Sequence, residues 1–276
     1  MERRRRVYPA PRTHDGWLSG LLLFLSAIVV LSGLVWRGEK EELSILLAPS
    51  PTPIPINESF DETLVQTEVA LQGSEWYALQ LGVFENQESA ALLAEEYSRR
   101  GAAGYVWCDG RYRTLAAVYA SKEDAQNVRE QLRRKHDVET YLYTISYPSL
   151  QLKLSGMQGQ VEILQAAFLH AEEMIRLLQN LSMALDRQET NAEEIRASLN
   201  GMNDQLTAVS LRLRQRFAVP RHETVTRLLK CFETYSAFAA TIDLADSEVG
   251  LGTKLKYQTF LSLDSFKQVY DSLSNT

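Results

Sequence analysis

The segment WYALQLGVF, residues 76–84, alternates large apolar side chains with small or polar ones, which is the period of a β-strand. From Asn86 the period changes, because Ala90 and Tyr97 mark one face of a helix. Gly101 then stands where a helix commonly stops. The pattern therefore predicts a strand followed by a helix.

A weaker copy of this unit follows in RYRTLAAVY, residues 111–119, and in a helix opened by a capping box that begins at Ser121. Between the copies, GYVWC (104–108) predicts a short strand, and the DG pair behind it is a strong hairpin turn. VETYLYTIS, residues 138–146, is the last predicted strand. The β-α-β-β-α-β order predicts a ferredoxin-like α+β domain over residues 75–147, with both helices on one face of the sheet and the other face bare.

The C-terminal part has a different pattern. After Pro148 the apolar residues recur every three and four positions, as they do in helical seams. We predict about four helices packed as an all-α bundle over residues 150–276, with a loop at EVGLGT, residues 248–253. Such seams serve a bundle that closes on itself and one that takes a second chain or another protein, so self-association and a protein partner both stay open.

The N-terminal part has the features of a membrane anchor. Five arginines crowd residues 1–16, and residues 17–36 carry no charge and have a tryptophan at each end. About 20 apolar residues cross a bilayer, and the arginine excess predicts a cytoplasmic N-terminus, with the rest of the chain outside. We favour a retained single span over a cleaved signal peptide, since no convincing cleavage site follows. Prolines in APSPTPIP predict that residues 37–74 are an extended linker.

Composition and charge exclude several functions. The chain has the apolar fraction of a globular protein, and its net charge of −6 gives no general attraction to nucleic acid. No catalytic motif or phosphate-binding glycine loop occurs, and no histidine lies at metal-ligand spacing from carboxylates, so we predict no enzyme, metal or cofactor. We interpret Cys108 and Cys231 as small buried apolar residues.

The first strand contains one residue that its apolar pattern does not explain, Gln80. If Leu79 and Leu81 face the helices, alternation places Gln80 on the other face, with Arg113 on the neighbouring strand. Gln and Arg supply hydrogen-bond donors and aromatic rings supply flat apolar faces, a mixture that suits a sugar chain with acetamide groups. The other candidate binding residues that this alternation places on the same face are Trp76, Gly82, Leu115, Tyr105, Trp107, Tyr141 and Tyr143.

These candidate residues also have structural explanations. Gln80 could be a solvated strand residue, and Arg113 could be an ordinary surface charge. The aromatic residues could lie buried under the C-terminal helices. The sequence alone leaves these alternatives open.

The two strand–helix units also resemble a known family. YALQLGVF with its helix, and then GRYRTLAAVYASKEDAQNVREQL, resemble the SPOR (sporulation-related repeat) domain of bacteria over residues 75–146. The resemblance implies a ferredoxin-like fold that binds peptidoglycan glycan strands stripped of their stem peptides, with Gln80 and Arg113 on the binding face. It also implies a setting, because such glycans accumulate at division septa and around forespores, and many family members are single-pass membrane proteins.

These features together predict a membrane-anchored, non-catalytic protein of the bacterial cell envelope that binds peptidoglycan glycan strands in cell division or sporulation. The alternative is an envelope scaffold that binds a protein through its C-terminal bundle, with a degenerate or masked sheet. RNA-binding domains share the strand order, but their aromatic-rich motif is absent and this domain is predicted to lie outside the cytoplasm. We therefore reject RNA as a partner.

Overall fold

The computed structural model describes residues 63–219 and 221–274. Six strands and two helices make up the first half of this part and helices alone follow, so the predicted mixed α+β organisation is confirmed there. The strands are β1 (Leu64–Leu71), β2 (Ser74–Phe84), β3 (Tyr105–Cys108), β4 (Tyr112–Tyr119), β5 (Tyr141–Tyr147) and β6 (Leu150–Met157). The helices are α1 (Gln87–Ser98), α2 (Lys122–His136), α3 (Gln158–Asp186), α4 (Ala192–Arg216), α5 (Glu223–Ala239) and α6 (Glu248–Ser274).

The central sheet has the strand order β3-β4-β2-β5, and every neighbouring pair is antiparallel. This is the split arrangement expected for the β-α-β-β-α-β order, with α1 and α2 packed on one face. Both predicted helix starts are confirmed. The Asn86 side chain accepts a hydrogen bond from the backbone N–H of Ser89, and that of Ser121 accepts one from Asp124.

Two irregularities in the pairing of β2 with β4 change which face the side chains occupy. The register shifts after Leu79, which pairs with Ala117, and again between Gln80 and Gly82. A β-bulge moves the residues beyond it to the opposite face. Uninterrupted alternation from Arg113 and Leu115 would place Ala117 away from the helices, but it packs in the helix-side cluster, which consists of Leu79, Ala116, Ala117, Tyr119 and Ala125.

A second, two-stranded sheet was not predicted. Strand β1 pairs with β6 in antiparallel register, from Leu64 opposite Met157 to Leu71 opposite Leu150. These strands lie where the sequence predicted the end of a linker and the start of a helix, so both element predictions are wrong there. The apolar residues that stepped by three and four begin only in α3, after this ribbon has ended.

The four predicted C-terminal helices are present as α3 to α6, but the predicted loop at residues 248–253 is wrong. Helix α6 begins at Glu248 and includes Gly250 and Gly252. The Ser247 hydroxyl oxygen accepts a hydrogen bond from the Gly250 N–H over 3.1 Å, which caps this first turn. Glycine in a helix costs about 1 kcal/mol relative to alanine, a cost that capping and the packing of the rest of α6 offset.

The second face of the sheet is not bare, contrary to expectation. Helix α6 packs on β3, β4 and β5, and the sheet residues beneath it belong to the same core as the bundle. Within this shared core, the sheet contributes Trp76, Tyr105, Trp107, Leu115, Ile145 and Tyr147, and the helices contribute Phe168, Phe260, Phe266 and Tyr270 among others. Over the described residues, the sheet and the bundle are therefore one packed unit.

The predicted anchor at residues 17–36 and the proline-rich stretch lie outside the described residues. In the described ranges, no helix combines the length and the apolar character that a membrane span requires. The predicted domain boundaries stay predictions, except that β1 occupies the end of the predicted linker at residues 37–74.

Candidate functional site

Gln80 and Arg113 lie together at one end of the central sheet, as the sequence predicted. Arg113 Nη1 donates a hydrogen bond to Gln80 Oε1 over 2.8 Å, between the adjacent strands β4 and β2. The Arg113 side chain is about one-fifth exposed, at 22%, whereas Gln80 is largely buried at 9%. The bond fixes both side chains, so Gln80 is not a free, solvated strand residue.

Asp109 and Tyr143 complete this group of side chains. Arg113 Nε donates to both carboxylate oxygens of Asp109, over 3.0 and 2.9 Å. The Tyr143 hydroxyl donates to Asp109 Oδ2 over 2.8 Å, and the Arg113 guanidinium lies over the Tyr143 ring, 4.5 Å from its centroid. We call these four residues, Gln80, Asp109, Arg113 and Tyr143, the polar cluster.

The polar cluster shifts the acidity of its own members. Burial alone would raise the pKa of Asp109, but hydrogen bonds from Tyr143 and Arg113, and the charge of Arg113, lower it overall. Burial, followed by the hydrogen bond and charge of Asp109, raises the pKa of Tyr143 to about 12. At neutral pH the cluster therefore consists of a carboxylate, a guanidinium, a neutral phenol and an amide, and its net charge is zero.

Two further predicted binding residues lie near this end of the sheet, but they differ in orientation. Tyr141 pairs with Gln80 in the register of β5 and is 59% exposed. Gly82 does not lie beside Gln80 on the same face, because a Cβ atom there would meet the ring of Phe84 and the side chain of Leu93, which belongs to helix α1. The bulge between Gln80 and Gly82 turns this residue toward the helices.

The other four predicted binding residues lie under the bundle, so the alternative that the aromatic residues are buried by the C-terminal helices applies to them. They are Trp76, Tyr105, Trp107 and Leu115, and all are buried. Trp76 Nε1 donates to the Tyr147 hydroxyl over 3.3 Å, and the ring of Tyr105 stacks on Phe260. The structure thus divides the predicted face into an apolar part covered by the bundle and a polar end that is uncovered, because Tyr141 is exposed and Arg113 and Asp109 are partly exposed there. Binding of glycan at this end stays a prediction.

Asp109 is the member of the cluster that the sequence reasoning missed. It was interpreted only as the first residue of a hairpin turn, which it is, since its backbone N–H bonds to the Arg111 carbonyl. A signal was present, because an acid at the end of β3 and an arginine at the start of β4 flank the same tight turn. Side chains so placed can meet across it.

The cysteines and possible metal ligands add little chemistry. Cys231 is buried, and burial raises the pKa of its thiol to about 12. Cys108 is exposed, so its interpretation as a buried residue is wrong; both thiols are free. Among the residues that the structure describes, no group of His, Cys, Asp or Glu side chains could hold a metal ion.

Comparison with known proteins identifies the central domain. The family model of the SPOR domain matches residues 77–144. This range includes helices α1 and α2, strands β3 and β4, and most of β2 and β5. This segment is therefore a SPOR domain, and the resemblance seen in the sequence is confirmed. Searches of curated proteins and of solved structures found no match.

Proposed function

We propose that this protein is a non-catalytic component of the bacterial cell envelope that binds peptidoglycan glycan strands lacking stem peptides, in cell division or sporulation. The SPOR domain match over residues 77–144 is the observation that carries the proposal. The polar cluster supports it, because hydrogen-bond donors and an aromatic ring at the uncovered end of the sheet suit a hydroxylated, acetamido-bearing ligand.

The covered part of the sheet limits where such a ligand can lie. Burying one large apolar side chain contributes about 1.5–3 kcal/mol, and Trp76, Tyr105, Phe260, Phe266 and Tyr270 all lie in the shared core. Separating the bundle from the sheet would cost a sum comparable with the 5–15 kcal/mol that stabilises a typical domain. We therefore place the glycan at the polar cluster and the exposed Tyr141, not beneath the helices.

The location of the protein is also part of the proposal. The uncharged stretch at residues 17–36, preceded by five arginines, supports a single span with the SPOR domain outside the cytoplasm. The proline-rich residues after it would hold the domain away from the bilayer. The family match favours glycan binding over the alternative of a protein-binding scaffold with a degenerate sheet.

The proposal is tested by sedimentation with insoluble peptidoglycan. A fragment of residues 63–276 should pellet weakly with intact peptidoglycan and strongly after an amidase has removed the stem peptides. The matched control is residues 63–276 carrying Arg113→Ala, which removes the guanidinium from the polar cluster. Equal sedimentation of the unaltered fragment with both preparations, or none with either, would contradict binding to denuded glycan.

A further inference from the structure

Asp109 contacts two members of the polar cluster but holds no position that the SPOR resemblance assigned to ligand binding. It follows strand β3 directly, and Gly110 behind it has φ 93°, a left-handed conformation that glycine adopts without strain. This tight turn brings the Asp109 carboxylate back over the start of β4. There it accepts hydrogen bonds from Arg113 Nε and from the Tyr143 hydroxyl at the same time.

We propose that Asp109 is the positioning residue of the glycan site: it fixes the Arg113 guanidinium for hydrogen bonding and cancels its charge. The inference rests on the proposed function and adds a specificity to it. Arginine has five N–H groups. Nε uses one on Asp109 and Nη1 uses one on Gln80, which leaves three Nη N–H groups to meet a ligand.

The charge balance indicates which ligand atoms this site selects. Arg113 and Asp109 form an ion pair of 2.9 Å with side chains 22% and 28% exposed, so an anion that approaches the guanidinium also meets the carboxylate. Attraction and repulsion of this kind largely cancel at similar distances. The hydrogen bonds of the site therefore go to uncharged oxygen acceptors, such as the hydroxyl and acetamido groups of a sugar, and the carboxylates of the same glycan add little net attraction.

The ring of Tyr143 depends on the same carboxylate. Its hydroxyl is held by Asp109 and its face lies against Arg113, so one acid fixes both the donor and the aromatic surface. Without Asp109, a long arginine side chain would regain rotamer freedom, and binding would have to restrict it again. The geometry thus assigns Asp109 a role through Arg113 and not through direct contact with the glycan.

The test is a double-mutant cycle in residues 63–276, with amidase-treated peptidoglycan glycan strands as the probe. Asp109→Asn keeps the shape of the side chain and removes its charge. We expect it to weaken binding by about tenfold, which corresponds to one lost charged hydrogen-bond interaction. In the Arg113→Ala background the same change should have no further effect, because a positioning residue acts only through the group that it positions.

Salt dependence gives a second readout that a merely structural role would not change. Residual binding by Asp109→Asn should fall with rising salt more steeply than binding by the unaltered fragment. Its cluster carries a net positive charge, and amidase treatment leaves a carboxylate on the glycan wherever a stem peptide has been removed. Asp109→Glu, which restores the charge, should recover the weak salt dependence. Asp137→Asn, at an exposed position after helix α2, is the matched control and should leave both affinity and salt dependence unchanged.

The outcomes separate this inference from the function on which it rests. If the unaltered fragment does not bind denuded glycan, the proposed function and the inference both fail. Two results would overturn the inference alone, provided that the unaltered fragment binds. One is that Asp109→Asn binds as well as the unaltered fragment. The other is that Asp109→Asn lowers the affinity by the same factor with Arg113→Ala present as without it. If Asp109→Asn does not fold, Tyr143→Phe replaces it, because it removes one of the two partners of Asp109 and should weaken binding severalfold with normal folding.

Discussion

The Tyr105 hydroxyl donates a hydrogen bond to Asp264 Oδ2 over 2.8 Å, which joins strand β3 to helix α6 across 159 positions of the chain. The same ring stacks on Phe260, with centroids 5.5 Å apart and planes inclined by 16°. Burial first, and then the charge and hydrogen bond of Asp264, raise the pKa of Tyr105. The phenol is therefore a neutral donor at physiological pH, and it connects the SPOR domain to the bundle.

Replacing Tyr105 should destabilise the whole unit. Tyr105→Ala removes a buried ring from between β3 and α6, and aromatic-to-alanine changes in cores cost about 3–5 kcal/mol. Tyr141→Ala is the matched control, because its side chain is mostly exposed, and it should change stability by no more than about 0.5 kcal/mol. Urea denaturation of residues 63–276 measures both variants, and equal stabilities would show that the ring contributes nothing to the junction.

The shared core also predicts that sheet and bundle unfold together. The only tryptophans in residues 63–276 are Trp76 and Trp107, and both belong to this core. Tryptophan fluorescence therefore reports the junction, whereas circular dichroism at 222 nm is dominated by the helices. We expect the two signals to change at one temperature in a single transition. Two separate transitions would mean that the bundle and the SPOR domain are independent domains.

The local elements of the SPOR domain could be predicted from the sequence because their signals are local. Asn86 and Ser121 cap their helices as predicted, and Gln80 meets Arg113 on the neighbouring strand. Strand alternation gives the wrong face for Gly82 and for Ala117. One register shift separates Gly82 from Gln80, and another separates Ala117 from Leu115. A bulge inserts one residue and leaves no strong mark in the sequence.

The long-range features could not be predicted for a different reason. Strands β1 and β6 flank the whole SPOR domain in the sequence. Leu150, Leu152 and Leu154 of β6 do alternate with polar residues, but nothing in that alternation identifies a partner strand so far away in the chain. The aromatic residues of the sheet suit a sugar and a helix equally well, since both present apolar surface. Only the fold shows that Phe260 and Phe266 of α6 cover them.

The Lys256–Asp186 ion pair should contribute to the same junction. Lys256 Nζ donates to Asp186 Oδ1 over 2.7 Å and to the Gly101 carbonyl over 3.1 Å, and its side chain is buried. Lys256→Met leaves both acceptors without their donor. Breaking a fully buried pair costs about 3–5 kcal/mol, and we expect about 2 kcal/mol here because Asp186 is partly exposed.

The matched control for this pair is Lys267→Met. Lys267 pairs with Asp271 on the same helix, but both side chains are more exposed, so its loss should cost less than about 1 kcal/mol. Chemical denaturation of the two variants gives the comparison. Equal losses of unfolding free energy in the two variants would indicate that burial does not strengthen the Lys256–Asp186 ion pair.

Glu172 should make stability depend on pH in the opposite sense to a paired surface acid. Burial raises its pKa above the usual value near 4.5, more than Arg176 and the Tyr270 hydroxyl lower it. A raised folded-state pKa favours the fold below the unfolded-state pKa, and this contribution is lost as the pH rises through the folded-state value. Glu172→Gln should therefore raise the melting temperature at pH 7 and leave it nearly unchanged at about pH 4.

Glu189→Gln, at an exposed position between α3 and α4, is the control for this measurement and should shift neither melting temperature. Thermal melts of both variants and of the unaltered fragment, recorded between about pH 4 and pH 7, provide the comparison. A lower melting temperature of Glu172→Gln at pH 7 would mean that the carboxylate gains more from Arg176 and Tyr270 than it loses by burial.

The central claim is that the uncovered end of the sheet binds denuded glycan, and the most direct measurement is the affinity of Gln80→Ala/Arg113→Ala for such strands. We predict a loss of at least about tenfold, because about 1 kcal/mol is lost per hydrogen bond, with a lower melting temperature but a melt that is still cooperative. Gln126→Ala/Arg129→Ala removes the same residue types from helix α2, on the opposite face, and should bind normally. Full affinity in the Gln80/Arg113 double variant, with a cooperative melt, would contradict the account.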